Sequence, residues 1–324
     1  MSEEQYKRVF SAIYTYVFFF TCIFQFTLLF LLVKHYSFKI QLMRGVLFLS
    51  VFFELSMVFF SWFVQLRMVT TTYPLEIRSY GWCRFQQPWI CYVGYQLIQL
   101  SGLAGGLTIC ALFYLKYKVI TSLEMSKLKV FIIYLFFHLP VFLSAILAAI
   151  ITRTQILPFQ VQDKVRMLND SVHSPEFVVI GFLNTYKLPN MLNLGIYSSC
   201  IFFLPFLALW WRRKILRRIP KKTGNTSNER RQFYKTFVMG LTIQCILPLI
   251  FYIPVYAGVY VSLFFTGGTC FLEFVGPLIP ILPGMIDLLV TIYFVIPFRK
   301  KVVTWIQRKE VVGEVQSMNL FVQS

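Results

Sequence analysis

The sequence predicts an all-α membrane protein, a bundle of seven transmembrane helices with its N-terminus outside and its C-terminus inside. Three observations predict it. The 324 residues are 57% hydrophobic and only 14% charged, too little polar surface for a water-soluble domain of this size. Aromatic residues reach 19%, with 36 Phe, an excess that suits lipid-facing helices and interfacial belts. Seven long apolar segments alternate with basic or mixed loops.

The spans are read as residues 9–33, 45–64, 89–115, 130–152, 191–211, 236–265 and 271–296. Each is long enough to cross a hydrocarbon core of about 30 Å. Each must be helical, because a backbone in lipid has no water to satisfy it. The first span follows a polar stretch, Met1 to Arg8, and runs for 25 residues from Val9 to Val33. That is too long for a signal-peptide core, so a retained span is expected. Residues 1–301 form the seven-helix domain and 302–324 a cytoplasmic tail.

Lys and Arg set the direction. Segments 1–8, 65–88, 153–190 and 266–270 hold 9 of the 31 basic residues, and the alternate set holds the other 22. The richer side is cytoplasmic by the positive-inside rule. It carries four acids, so its net charge of +18 equals that of the whole chain. The charge excess is thus explained without nucleic acid as a partner. The sequon Asn169-Asp170-Ser171 falls outside, where it is a candidate glycosylation site, whereas Asn225-Thr226-Ser227 falls inside. The long 153–190 loop is read either as a lid over a pocket entrance or as a poorly ordered connector. Val302, Val303, Trp305 and Ile306 in the tail could form one apolar face on the inner membrane surface.

Polar residues within the spans mark the candidate sites. Glu54 and Asp287 each lie about ten residues from the cytoplasmic end of spans two and seven, about 15 Å deep. Buried acids are costly in lipid, so this pair is expected to share a proton, a cation or waters if the two spans are neighbours. His138 is read as a satisfied interhelical histidine. Span three carries Tyr92, Tyr95, Gln96 and Gln99 on one face, span six carries Tyr252, Tyr256 and Tyr260, and span five carries Asn193 and Tyr197. Convergence of these faces would line a pocket for a small molecule in the outer half of the bundle. Tyr92 and Tyr260, the outermost, are better read as an interfacial belt. Prolines 248, 254, 277, 280 and 283 imply kinks. Cys83, Cys91 and Cys270 lie in the oxidising outer space, where a disulfide from Cys83 or Cys91 to Cys270 is possible. There is no phosphate-binding Gly-rich loop, HExxH or nucleophile elbow, so no enzyme, metal or cofactor is expected.

Span six reads GLTIQCILPLIFYIP and span seven ends MIDLLVTIYFVIPFRKK. With Gln244, Pro248, Pro254, Asp287, Pro297 and Arg299 in place, the chain resembles the nematode seven-helix chemoreceptors of the Str superfamily, which includes Str, Srd, Srh and Sri. The pattern points to Srd or a close relative. Leu288 and Phe298 depart from the usual Pro and Tyr. An Asp/Glu-Arg-Tyr switch is absent at the inner end of span three, where Lys116-Tyr117 stands. The resemblance implies a G-protein-coupled type of receptor at the plasma membrane, in the sensory cilia of neurons. It would bind an odorant or other small molecule in its outer half and engage a heterotrimeric G protein inside. Lys116, Tyr117, Arg212, Arg213, Arg230, Arg231 and Arg299 are the candidate coupling residues. The alternative is an ion- or proton-coupled transporter or ligand-gated channel using Glu54 and Asp287.

Overall fold

The computed structural model describes residues 3–34, 44–69, 75–121, 126–156, 177–184, 186–218, 236, 238–247, 249–251, 253–254, 257, 270–294, 299 and 302–304. Among them are the helices α1 (Glu3–Lys34), α2 (Arg44–Val64), α3 (Pro88–Thr121), α4 (Lys127–Phe137), α5 (Leu139–Gln155), α6 (Leu188–Arg218), α7 (Val238–Phe251), α8 (Cys270–Leu278) and α9 (Leu282–Phe294). Helices α1, α2, α3, α6 and the α8–α9 unit are each long and apolar enough to cross a membrane, and α4 with α5 makes a sixth, bent span. The predicted 236–265 span is described in part, through α7. Of the predicted 302–324 tail only 302–304 is described, as helix.

The burial pattern is that of a membrane bundle. On α1, Phe19, Phe20, Ile23 and Phe26 are more than half exposed, while Thr21 and Gln25 are fully buried. Apolar groups face out and polar groups face in because lipid, not water, surrounds the helix. α3 is the central helix. Its run from Cys110 to Phe113 is buried on every side, and it packs against α2, α4, α5 and α6. It also continues six residues past the predicted end of its span, which places Lys116 and Tyr117 within the helix. α6 likewise continues into the basic run to Arg218, since Arg and Lys are good helix formers once clear of lipid.

Span four is broken. α4 and α5 meet at 45° across His138, at φ −92° and ψ 4°. Pro140 follows, and its missing N–H cannot continue the α4 ladder. His138 is buried there. Its Nδ1–H donates to the Tyr134 carbonyl at 2.9 Å, and Nε2 lies 3.2 Å from the Thr108 hydroxyl of α3, whose own proton goes to the Ala104 carbonyl at 2.7 Å. Thr108→Val removes the buried hydroxyl that the His138 ring and the Tyr134 hydroxyl share. We expect a loss of about 1–3 kcal/mol, to be read as a lower melting temperature of the detergent-solubilised protein. Span seven is broken too: a 3₁₀ turn at Ile279–Ile281 separates α8 from α9, in keeping with the Pro277, Pro280 and Pro283 positions.

One end of the bundle carries a feature the sequence reading missed. Strands β1 (Leu66–Val69), β2 (Leu75–Ser79) and β3 (Val178–Leu183) form an antiparallel sheet in that order. Met68 pairs with Ile77, and Ile77 with Gly181, with a bulge between Ile77 and Arg78. One face places Leu66, Ile77, Val178 and Ile180 on Tyr92 and Tyr95 of α3, and the opposite face turns Arg67 toward α8. The last part of the 153–190 loop is thus a structured cap at residues 177–183. Residues 157–176, including Asn169, lie outside the described residues.

The cysteine pairing expected from sequence is corrected. Cys83 is bonded to Cys91, not to Cys270, with Cα atoms 5.4 Å apart. The 3₁₀ turn Trp82–Phe85 doubles the chain back onto the start of α3, which brings the two sulfurs together. Cys83 and Cys91 are both fully buried beneath the sheet.

Candidate functional site

Polar side chains gather at three levels of the bundle. Near the sheet-bearing end, Gln99 Nε2 donates to the Tyr95 hydroxyl at 2.7 Å along α3. Gln96 is buried beside the Tyr92 hydroxyl. Between α5 and α6, the Ser144 hydroxyl donates to Asn193 Oδ1 at 2.6 Å and lies 3.3 Å from the Tyr197 hydroxyl. The α3 and α6 groups therefore stand on neighbouring helices, with Ser144 as their α5 companion. Ser144 escaped the sequence reading because a single Ser in an apolar run has no spacing partner to reveal it. Tyr252 and Tyr256, the proposed third wall, lie outside the described residues.

At mid-depth, α1, α2, α7 and α9 bring together the second group. Glu54 accepts from Gln25 Nε2 at 2.6 Å and from the Ser50 hydroxyl at 3.3 Å. Asp287 is buried. Gln244 of α7 donates to Thr291 Oγ1 at 2.8 Å and to the Asp287 carbonyl at 3.3 Å. Thr21 Oγ1, Gln25 Oε1 and Asp287 Oδ1 are buried without a hydrogen-bond partner among the described residues. Two acids and these oxygens form an acceptor-rich interior with few donors. Gln25 and Thr21 were not singled out from sequence, although polar residues four apart in an apolar helix are a readable signal.

At the basic end, Tyr117 of α3 packs on Trp211 of α6, with ring centroids 4.9 Å apart. Lys214 lies over the Trp210 ring at 3.5 Å. Arg212 is half-buried and Arg213 exposed, while Arg299 stands over Tyr293 at 5.4 Å. The side chain of Lys116, and Arg230 and Arg231 entirely, lie outside the described residues.

A further contact clamps the sheet to the bundle. Arg67 of β1 donates through Nε to Glu273 of α8 at 2.9 Å, and its terminal nitrogen lies 2.8 Å from the same oxygen. The Tyr80 hydroxyl accepts from Arg67 at 3.2 Å, and the Phe274 ring lies under the guanidinium. Although Glu273 stands in the first turn of its helix, its side chain is only 3% exposed. Beside this clasp Arg78 pairs with Glu76 at 2.7 Å. Burial pulls the Arg78 pKa down, but the Glu76 hydrogen bond and charge hold it above its ordinary value.

A bundle of apolar, membrane-length helices, with interhelical polar groups and a small cap at one end, defines a polytopic membrane protein of the seven-helix class. The sequence comparisons specify it. The family described as serpentine type 7TM GPCR chemoreceptor Srd matches residues 10–304. The chain is 32% identical over 307 residues to serpentine receptor class delta-40 of Caenorhabditis elegans, covering 95% of each chain. It is 29% identical to serpentine receptor class delta-44 of the same organism, over 94% of each chain, and 30% identical to class delta-47, over 86% of this chain and 87% of that one. The chain belongs to the Srd family of seven-helix chemoreceptors, within the Str superfamily. That family is one of receptors, not enzymes, and the match lends no support to the transporter or channel reading.

Proposed function

We propose that this chain is a plasma-membrane receptor, carried in sensory cilia, that binds an odorant or another small-molecule cue and signals through a heterotrimeric G protein. The match to a chemoreceptor family across residues 10–304 carries this reading. The sheet-bearing end and the N-terminus face outside. The placement of 22 of 31 basic residues in the opposite loops supports that direction, as does the Cys83–Cys91 bond at the sheet end. The ligand sits in the outer half, against Tyr95, Gln96, Gln99, Asn193 and Tyr197, with Tyr252 and Tyr256 completing the wall. Aromatic surfaces with a few hydrogen-bonding groups are suited to small organic molecules. Asn169 is the glycosylation site on the same side.

The mid-depth acids form the switch. Two carboxylates in lipid need a shared proton, cation or waters, so their state responds to small movements of α2 against α9. On the inner side, Tyr117, Arg212, Arg213 and Arg299 border the G-protein surface, together with Lys116, Arg230 and Arg231. The Tyr117–Trp211 contact joins α3 to α6, so separation of these helices would open that surface.

The test is reconstitution of the full chain with candidate G proteins and a screen of volatile and water-soluble compounds. Ligand-dependent nucleotide exchange is expected, and Glu54→Gln or Asp287→Asn should shift the basal rate. If exchange never responds while correctly inserted receptor is present, G-protein coupling is rejected.

A further inference from the structure

A cavity of about 700 Å³ lies outside the helix bundle core, between α1 and the junction of α2 with the sheet. Its α1 wall is a single stripe running from Glu4 through Arg8, Ser11, Ala12 and Thr15 to Phe19. At 1.5 Å per residue the stripe is about 22 Å long. Its two ends differ in chemistry. Lys7 and Arg8 stand at the upper end, where Lys7 lies over the Tyr80 ring at 5.6 Å, and Arg84 of the 3₁₀ turn lines the same cavity with Gln65. Among the described residues that line the cavity Glu4 is the single acid, and it is tied to Arg8 by an exposed ion pair at 2.6 Å. Exposed pairs of that kind contribute little, so an arriving anion readily replaces Glu4. The lower end is apolar. Thr15 turns its hydroxyl back to the Ser11 carbonyl at 2.9 Å. Small side chains at Ser11, Ala12 and Thr15 leave the depression, and the exposed rings of Tyr16 and Phe19 border it toward the lipid. The opposite wall is rigid: the Gly81 N–H donates to the Val64 carbonyl at 3.0 Å, and the Cys83–Cys91 bond anchors the turn that carries Arg84.

From this juxtaposition of three cations with an apolar trough along α1, we propose a binding site for an anionic amphiphile, with a carboxylate or phosphate head held by Lys7, Arg8 and Arg84 and an alkyl chain lying over Ala12 toward Phe19. The ligand enters sideways from the leaflet that meets the sheet-bearing end. The site is separate from the pocket between α3, α5 and α6, and it does not depend on which face of the membrane is outside. A head bound here bridges α1 to the sheet junction, so occupancy would bias the bundle without competing for the small-molecule pocket.

The experiment uses the full chain in nanodiscs of phosphatidylcholine and a long-chain fatty acid carrying a diazirine near its tail. Illumination is expected to label residues 12–19, and excess oleate should suppress the label while methyl oleate does not. The double variant Lys7→Gln, Arg84→Gln should reduce labelling at least tenfold. Ala12→Trp fills the trough on an exposed face of α1, so it should fold normally and also lose the label. Nanodiscs containing phosphatidylglycerol separate the two sources of the head group. Competition by that lipid at membrane concentrations assigns a bilayer phospholipid, and competition by oleate alone assigns a free fatty carboxylate. Equal competition by methyl oleate, labelling spread around all faces of α1, or full labelling of the folded Ala12→Trp protein would each overturn the proposal.

Discussion

Replacing Arg67 with alanine is expected to destabilise the receptor by about 3–5 kcal/mol, the cost of leaving a buried charge without its partner. The size of the effect follows from where the pair sits. Arg67 and Glu273 are 7% and 3% exposed in their side chains, and the guanidinium is further held by Tyr80 and Phe274. Glu273→Ala should cost a similar amount, because it strands the guanidinium instead. The double replacement Arg67→Met, Glu273→Leu should recover most of the loss, since two apolar groups of similar volume need no desolvation offset. Melting of the purified protein in detergent measures all three. Single variants that melt like the parent would show that the clasp is not a buried ion pair in the folded protein. The clasp links β1 to the first turn of α8, so the single variants should also loosen the cap over the bundle, visible as faster amide exchange in residues 66–69.

Gly81→Ala is expected to cost at least about 3 kcal/mol, the upper part of the range for forcing atoms into a packed site. A Cβ on Gly81 would lie 2.2 Å from the Phe63 carbonyl oxygen and 2.7 Å from the Phe63 and Val64 carbonyl carbons. These are backbone atoms at the end of α2, so no side chain can swing away. The backbone of Gly81 has φ −75°, which any residue adopts; the glycine is required for room alone. The clash would displace the turn whose N–H bonds Val64 and would pull on the neighbouring disulfide turn. Gly195→Ala on α6 is the control. It has open space around it, and Ala favours a helix over Gly by roughly 0.5–1 kcal/mol. Equal melting of the Gly81→Ala and parent proteins would contradict the close approach.

The spanning helices were legible because hydropathy is a local sum. The 25-residue, predominantly apolar run from Val9 to Val33 announces α1 without reference to any other part of the chain. Their interior face was less legible. Thr21 and Gln25 are buried toward α2 and α9 only because those helices happen to stand there. Counting residues singles out Glu54 and Asp287 as polar groups within apolar spans, but it does not reveal the Gln25 donor to Glu54. The sheet was hidden for a different reason. β1 has four residues and β2 five, too short for alternation to stand out from loop composition. Their partner β3 lies about a hundred residues away. The same holds for the cysteines. Cys83 and Cys91 are separated by only eight residues, and nothing in that spacing tells whether the intervening segment turns back on itself or extends.

By itself, the sequence determined that the chain is an all-α membrane protein of long apolar helices, and the family to which it belongs. Those are properties of composition, charge and local pattern, and lipid enforces them segment by segment. Only the tertiary structure decided that span four bends at His138, that Cys83 bonds Cys91, that a three-stranded cap closes one end, and that Arg67 meets Glu273 206 positions away. Each of these depends on two distant groups competing for one buried place, and a charge or a hydrogen-bonding group chooses its partner only when the fold has removed every other one.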